Sequence, residues 1–217
     1  MIKNVLFDLG GVLIDLDVQR TISAFRRLLP PQEEGASSSN SLVTAQGLLG
    51  GHDSELIDRY QTGDISTADF IRTILSVCRP GTTEEQVRDA WFAMLLGIPE
   101  ENKQLLSDIH AAGYDIYVLS NINEMHVDWV HDYCPELRAA RHCFFSNEMH
   151  LSKPDTRCYE QVIREAGIRP EETLYVDDLL PNIEEGRRHG FRCIHATDTS
   201  WRNTLRQLLN LNLDPEK

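Results

Sequence analysis

The sequence has no CxxC pair, and its five cysteines are odd in number and scattered: Cys78, Cys134, Cys143, Cys158 and Cys193. This argues against a disulfide framework and a cysteine-ligated zinc site, and suits a reducing cytoplasm. No apolar run approaches the roughly 20 residues that cross a bilayer, so no membrane partner is expected. The first residues carry no basic segment or cleavage site and enter an apolar strand pattern at once, which predicts no secretory leader. Positive charge is also short. There are 21 Lys and Arg against 34 Asp and Glu, a formal net charge of −13. Such a field repels phosphate backbones, and no nucleic-acid partner is expected. A small anionic ligand remains compatible if local cations hold it. Internal repeats and extended low-complexity tracts are absent as well.

What is present is 217 residues, 41% of them hydrophobic. That length suits one domain with an inserted subdomain, and it can bury a substantial core. Three apolar runs read as buried strands, each stopping at a polar or acidic residue. Ile2 to Phe7 ends at Asp8, Ile116 to Leu119 at Ser120, and Leu174 to Val176 at Asp177 and Asp178. Short, two-sided hydrophobicity marks central strands of a parallel sheet. Helical patterns precede the second and third: Glu100 to Ala112, stopped at Gly113, and Thr156 to Ala166, stopped at Gly167. Cys143–Phe145 and Arg192–Ile194 are further candidate strands. Alternating strands and helices predict a doubly wound α/β domain, whose ligands bind beyond the carboxyl ends of the strands.

Residues 16–96 read differently. Helical pattern covers Val18–Leu29, Ser54–Tyr60, Thr67–Val77 and Thr83–Leu95, with a Ser- and Gly-rich loop predicted at Glu34–Asn40. The expectation is an all-helical insert after the first strand, with the α/β core formed by residues 1–15 and 97–217. Inserts at the active end of a sheet often serve as lids.

The strand ends carry the chemistry. A carboxylate at Asp8 suits attack on phosphorus, which divides one hard displacement into two through an aspartyl-phosphate. The glycines after it, Gly10 and Gly11, bring backbone N–H groups close to transferring oxygens. The Ser120 hydroxyl suits donation to a phosphate oxygen. Lys153, in "LSKPD", suits neutralisation of both nucleophile and phosphoryl charge. Asp177 and Asp178 repel each other unless donors or a cation compensate, and Mg²⁺ binds through one or two carboxylates, water and phosphate.

The order Asp8, Ser120, Lys153, Asp177-Asp178 resembles the four motifs of the haloacid dehalogenase-like (HAD) hydrolase superfamily. The resemblance spans nearly the whole chain. The insert resembles that superfamily's C1-type cap, and "YQTGDIS" resembles the cap of its sugar-phosphatase-like members. "FDLGGVLIDLD" is most similar to the subgroup containing the α-D-glucose-1-phosphate phosphatases. The resemblance implies a Rossmann-like doubly wound parallel sheet with a helical cap. It implies a Mg²⁺-dependent phosphatase acting on a small phosphorylated metabolite, such as a sugar 1-phosphate, as a monomer or weak homodimer. Asp8 would be nucleophile and metal ligand, the Gly10 carbonyl and Asp178 further ligands, with Asp177 and Asn182 behind them. Ser120, the Asn121 backbone and Lys153 would hold the phosphoryl group.

One residue departs from the pattern. Most phosphatases of this superfamily carry Asp where this chain has Gly10, to protonate the leaving oxygen and later activate water. General acid–base help is typically worth about 10²–10⁴-fold. Two routes retain the chemistry: a substrate with a better leaving group, or another acid reaching in, with Asp15, Asp17, His52 and His126 as candidates. The alternatives are a metal-independent 2-haloacid dehalogenase and a catalytically degenerate phosphate-binding protein. Trp91, Trp129 and Trp201 read as packing or lid residues. His126 and His131 are spaced too poorly for a shared ligand face, and Arg20 suits a surface salt bridge better than a substrate anion.

Overall fold

The computed structural model describes residues 1–30 and 55–211. The Glu34–Asn40 loop and His52 lie outside them. Five parallel strands form the sheet: β1 (Asn4–Phe7), β4 (Asp115–Ser120), β5 (Ala140–Phe145), β6 (Thr173–Asp177) and β7 (Arg192–His195), in the order β5-β4-β1-β6-β7. β1 is central, and it is flat in register with both neighbours: Phe7 lies opposite Val118 on one side and Val176 on the other. The next residues, Asp8 and Asp177, are therefore level on adjacent strands, and the Asp8 N–H donates to the Val176 carbonyl at 2.9 Å.

Alternation along the strands sends side chains to two faces. Val5, Phe7, Val118 and Val176 pack into one apolar layer with Leu105, Ile109 and Trp201. Leu6, Leu119 and Tyr175 enter the opposite layer with Tyr159, Val162 and Ile183. Helices cover both faces, which is why the strands read as continuous apolar runs. The helix Thr156–Ala166 stops at Gly167 in the left-handed region (φ 62°), as its sequence predicts.

Among the described residues, four helices belong to the insert: α1 (Val18–Leu28), α2 (Glu55–Gln61), α3 (Thr67–Leu75) and α4 (Glu84–Phe92). Their facing apolar side chains, Phe25, Tyr60, Phe70, Ile74, Val87 and Trp91, form a separate core that also takes in Met125. α4 starts on a capping box, Thr83 with Gln86. It ends three residues earlier than expected. Leu95–Gly97 instead forms β3, antiparallel to β2 (Asp15–Leu16). The insert thus leaves and rejoins the sheet through a two-stranded ribbon.

The insert is hydrogen-bonded to the sheet domain. The Tyr60 hydroxyl accepts from the Met125 N–H (3.2 Å), Ser146 Oγ donates to the Gln61 carbonyl (2.6 Å), and Thr67 Oγ1 donates to Glu124 (2.5 Å). Beside them Gly63 has φ +71°, and a Cβ there would sit 2.3 Å from the Asn147 carbonyl oxygen. Both the left-handed backbone and the clash oppose a side chain, so Gly63→Ala is expected to cost about 2–3 kcal/mol. Chemical denaturation of the variant beside the parent protein measures it; a loss below about 0.5 kcal/mol, the level of a neutral surface change, would contradict the packing described.

Candidate active site

The level register of β1 and β6 turns Asp8 and Asp177 toward one ammonium. Lys153 Nζ lies 3.0 Å from Asp8 Oδ1 and 2.6 Å from Asp177 Oδ2, and its side chain is 1% exposed. Asp177 is fully buried and held by four donors. Oδ1 accepts from the Leu179 N–H and Asn182 Nδ2, and Oδ2 from the Tyr175 hydroxyl and Lys153. Its bonding capacity is filled. Asp8 Oδ1 accepts from the Leu9 N–H at 2.7 Å, while Oδ2 has no partner among the described residues.

Asp8, Asp177 and Asp178 present carboxylate oxygens within 4.8 Å of one another. One ammonium faces three acids, so the cluster is net negative. Burial pushes the Asp8 carboxyl up to about 6, opposed by Lys153 and reinforced by Asp177. Burial and Asp177 also raise Asp178. Lys153 stays above the ordinary lysine range because its two carboxylates outweigh its desolvation. All-oxygen donors with unbalanced negative charge suit a hard divalent cation. Gly11 explains part of the bare backbone: at φ +76° a Cβ would meet Asp178 Oδ2 at 2.6 Å. The Gly10 carbonyl accepts no backbone N–H among the described residues, since the bridge there runs through Gly11 and Leu9 to Ile14.

A cavity of about 410 Å³ opens above this cluster, between sheet and insert. Asp8, Gly10, Ser120, Asn121, Lys153, Asp178 and Asn182 all line it. The sequence-predicted residues are therefore brought to one place, with Asp177 beneath. Asp15 and Asp17 are not among its lining residues; Asp17 caps α1 at the Gln19 N–H and lies 3.5 Å from Arg20. His126 does line it, but burial pulls its pKa down to about 4. Uncharged at neutral pH and stacked on Trp91, it is a poor proton donor to a leaving oxygen. His131 sits apart, edge-on to Phe145. Trp91 and Trp201 are packing residues, the latter against Phe7.

Three supports were not legible in advance. The Asn121 side chain clamps the Lys153 backbone in both directions, Nδ2 to the carbonyl at 2.9 Å and Oδ1 from the N–H at 2.7 Å. Tyr175, read as an apolar strand residue, supplies a hydroxyl to Asp177. Asn123 caps the helix Glu124–Tyr133, and its Oδ1 also accepts from Trp91 Nε1 at 3.2 Å. The S-N-x-N spacing after the strand was the available signal for both asparagines.

A doubly wound sheet that gathers its ionisable groups at the carboxyl edge, where strand order reverses about β1, defines a capped α/β enzyme. The comparisons narrow that class. The model of the hydrolase family described as haloacid dehalogenase-like hydrolase matches residues 2–190. The chain belongs to this family and is a hydrolase. D-ribitol-5-phosphate phosphatase of Bacteroides thetaiotaomicron is 25% identical over 223 residues, covering 97% of this chain and 100% of the relative. A crystal structure of a HAD family enzyme of the same species, in complex with magnesium and inorganic phosphate, superposes with a TM-score of 0.74. It is 27% identical and covers 92% of this chain and 98% of that one. The structure of a predicted HAD-like family hydrolase from Porphyromonas gingivalis gives 0.79 at 25% identity, covering 98% and 100%.

Proposed function

We propose that the protein is a Mg²⁺-dependent phosphomonoesterase acting on a small phosphorylated metabolite through an aspartyl-phosphate. The observation that carries the reading is the buried Asp8–Lys153–Asp177 triad with Asp178 beside it. The relative named as a phosphatase and the neighbour holding magnesium and phosphate support it. Asp8, the Gly10 carbonyl and Asp178 would hold Mg²⁺, with Asp177 and Asn182 behind them. The ion would supply positive charge against the phosphoryl oxygens.

The chain's own residues do the rest. An Asp8 oxygen forms a bond to phosphorus as the ester P–O bond breaks, and the leaving oxygen takes a proton from water. Lys153 keeps Asp8 ionised and close to the phosphoryl group. The Ser120 hydroxyl and the Asn121 N–H donate to phosphoryl oxygens. Asn121 also fixes where the ammonium can go, through its clamp on the Lys153 backbone. Water then cleaves the aspartyl-phosphate to inorganic phosphate, restoring the Asp8 carboxylate. Residues 16–96 act as the cap and 1–15 with 97–217 as the core; the ribbon of Asp15–Leu16 and Leu95–Gly97 supports that division.

Release of inorganic phosphate from a panel of phosphate esters tests the reading, with Mg²⁺ and then with EDTA. Turnover with Mg²⁺, lost by at least about 10²-fold on chelation, is expected. Halide release from a 2-haloacid in EDTA would establish the dehalogenase instead. Phosphate binding without turnover would establish the degenerate binding protein.

A further inference from the structure

We propose that the alcohol released at this site has an apolar body, and that Leu16 fills the volume a leaving-group acid would need. The inference rests on the phosphatase reading and names its substrate class. A Cβ on Gly10 would lie 2.8 Å from Leu16 Cδ1. Gly10 is outside the left-handed region, so its backbone does not require glycine; a side chain there would have to displace the end of Leu16. The side chain that would carry a proton toward the leaving oxygen is replaced there by a branched hydrocarbon from the ribbon.

The rest of the chamber continues that surface. Leu16 and Val18 are 39% and 45% exposed, and both face the cavity. Ile57, Trp91, Met94 and Leu95 extend the wall. Large apolar side chains left uncovered in a cleft mark a ligand surface. Thr21, His126 and the Asn123 amide oxygen, polar groups among them, are engaged with Trp91 or with one another. Thr21 Oγ1 donates to the Trp91 carbonyl at 3.3 Å, and the His126 ring contacts the same carbonyl at 3.4 Å. Asn123 Oδ1 accepts from Trp91 Nε1 and from the His126 N–H. Asn123 Nδ2 is left buried and without a partner among the described residues, a donor for one acceptor. Among the described residues, Asp58 and Gln61 complete the polar lining on this side, Asp58 at an exposed position of α2. A polyol would set several hydroxyls against carbon with few partners among the described residues, which is costly.

A series of 4-n-alkylphenyl phosphates from methyl to propyl tests this with Mg²⁺, because the leaving phenol's acidity is nearly constant while apolar area grows. The expected result is a rise in kcat/KM of about fourfold per methylene, the equivalent of roughly 0.8 kcal/mol. The near-isosteric 4-(2-hydroxyethyl)phenyl phosphate should fall about tenfold or more below the propyl ester. Leu16→Asn should flatten the slope. A flat series, or a hydroxyethyl ester at least as good as the propyl ester, would overturn the inference and leave the phosphatase reading standing. An unchanged slope in Leu16→Asn would overturn the part assigned to Leu16. No phosphate release from any ester would overturn both readings together.

Discussion

Asp8→Asn is expected to abolish phosphate release, by roughly 10⁴-fold or more, and also to make the metal-free protein more stable at neutral pH. The first effect follows from chemistry: an amide oxygen is a poor nucleophile, and no other described residue offers a carboxylate at the same point beside Lys153. The second follows from where the charge sits. Asp8 ionises near 6 in the folded chain because burial penalises the anion by more than Lys153 favours it, and Asp177 adds a smaller repulsion. In the unfolded chain it ionises near the ordinary 3.8. The folded state therefore holds this proton more tightly. Stability from this group is fully present below pH 3.8, falls as pH rises, and is lost once pH passes about 6. Asparagine has no such penalty. The variant's advantage should be absent at acid pH, grow between about 4 and 6, and stay constant above. Lys153 remains paired in the variant, since Asp177 lies 2.6 Å away. Denaturation midpoints in EDTA across that range measure the effect. Equal midpoints at pH 8 would show that Lys153 alone compensates the Asp8 charge.

The strand ends were readable from sequence because burial on two faces leaves a continuous apolar run, and its end is marked by the first residue that must find polar partners. Phe7 before Asp8, Leu119 before Ser120 and Val176 before Asp177 all follow that rule. Sequence could not say that the three ends are adjacent; parallel pairing in level register does that. The ribbon escaped because β2 has two residues and β3 three, too few for any period. That loss had a consequence, since Leu16 was then only a residue on the way to the insert. The Asn121 clamp and the Tyr175 hydroxyl depend on partners from other elements. The same limit affected Asp15 and Asp17, whose nearness to Asp8 in sequence gave no hint that the chain turns them away from the cavity.

Restoring the absent carboxylate should accelerate the slow substrates most. Gly10→Asp alone must push Leu16 aside, because Cδ1 already stands 2.8 Å from the new Cβ. The contact is with the end of a flexible side chain at the surface, so Leu16→Ala should relieve it. The double variant Gly10→Asp/Leu16→Ala is therefore expected to raise kcat/KM on unactivated alkyl phosphates by about 10²-fold, the lower end of what general acid–base help supplies. Aryl phosphates, whose leaving oxygens need little protonation, should gain far less. The single Gly10→Asp variant should fall between, with Leu16→Ala alone as the reference for lost apolar contact. A gain confined to alkyl esters assigns the limit to leaving-group protonation. Equal or falling rates on both ester types, in a double variant that still binds inorganic phosphate, would show that this site is limited by something other than the proton Gly10 cannot give.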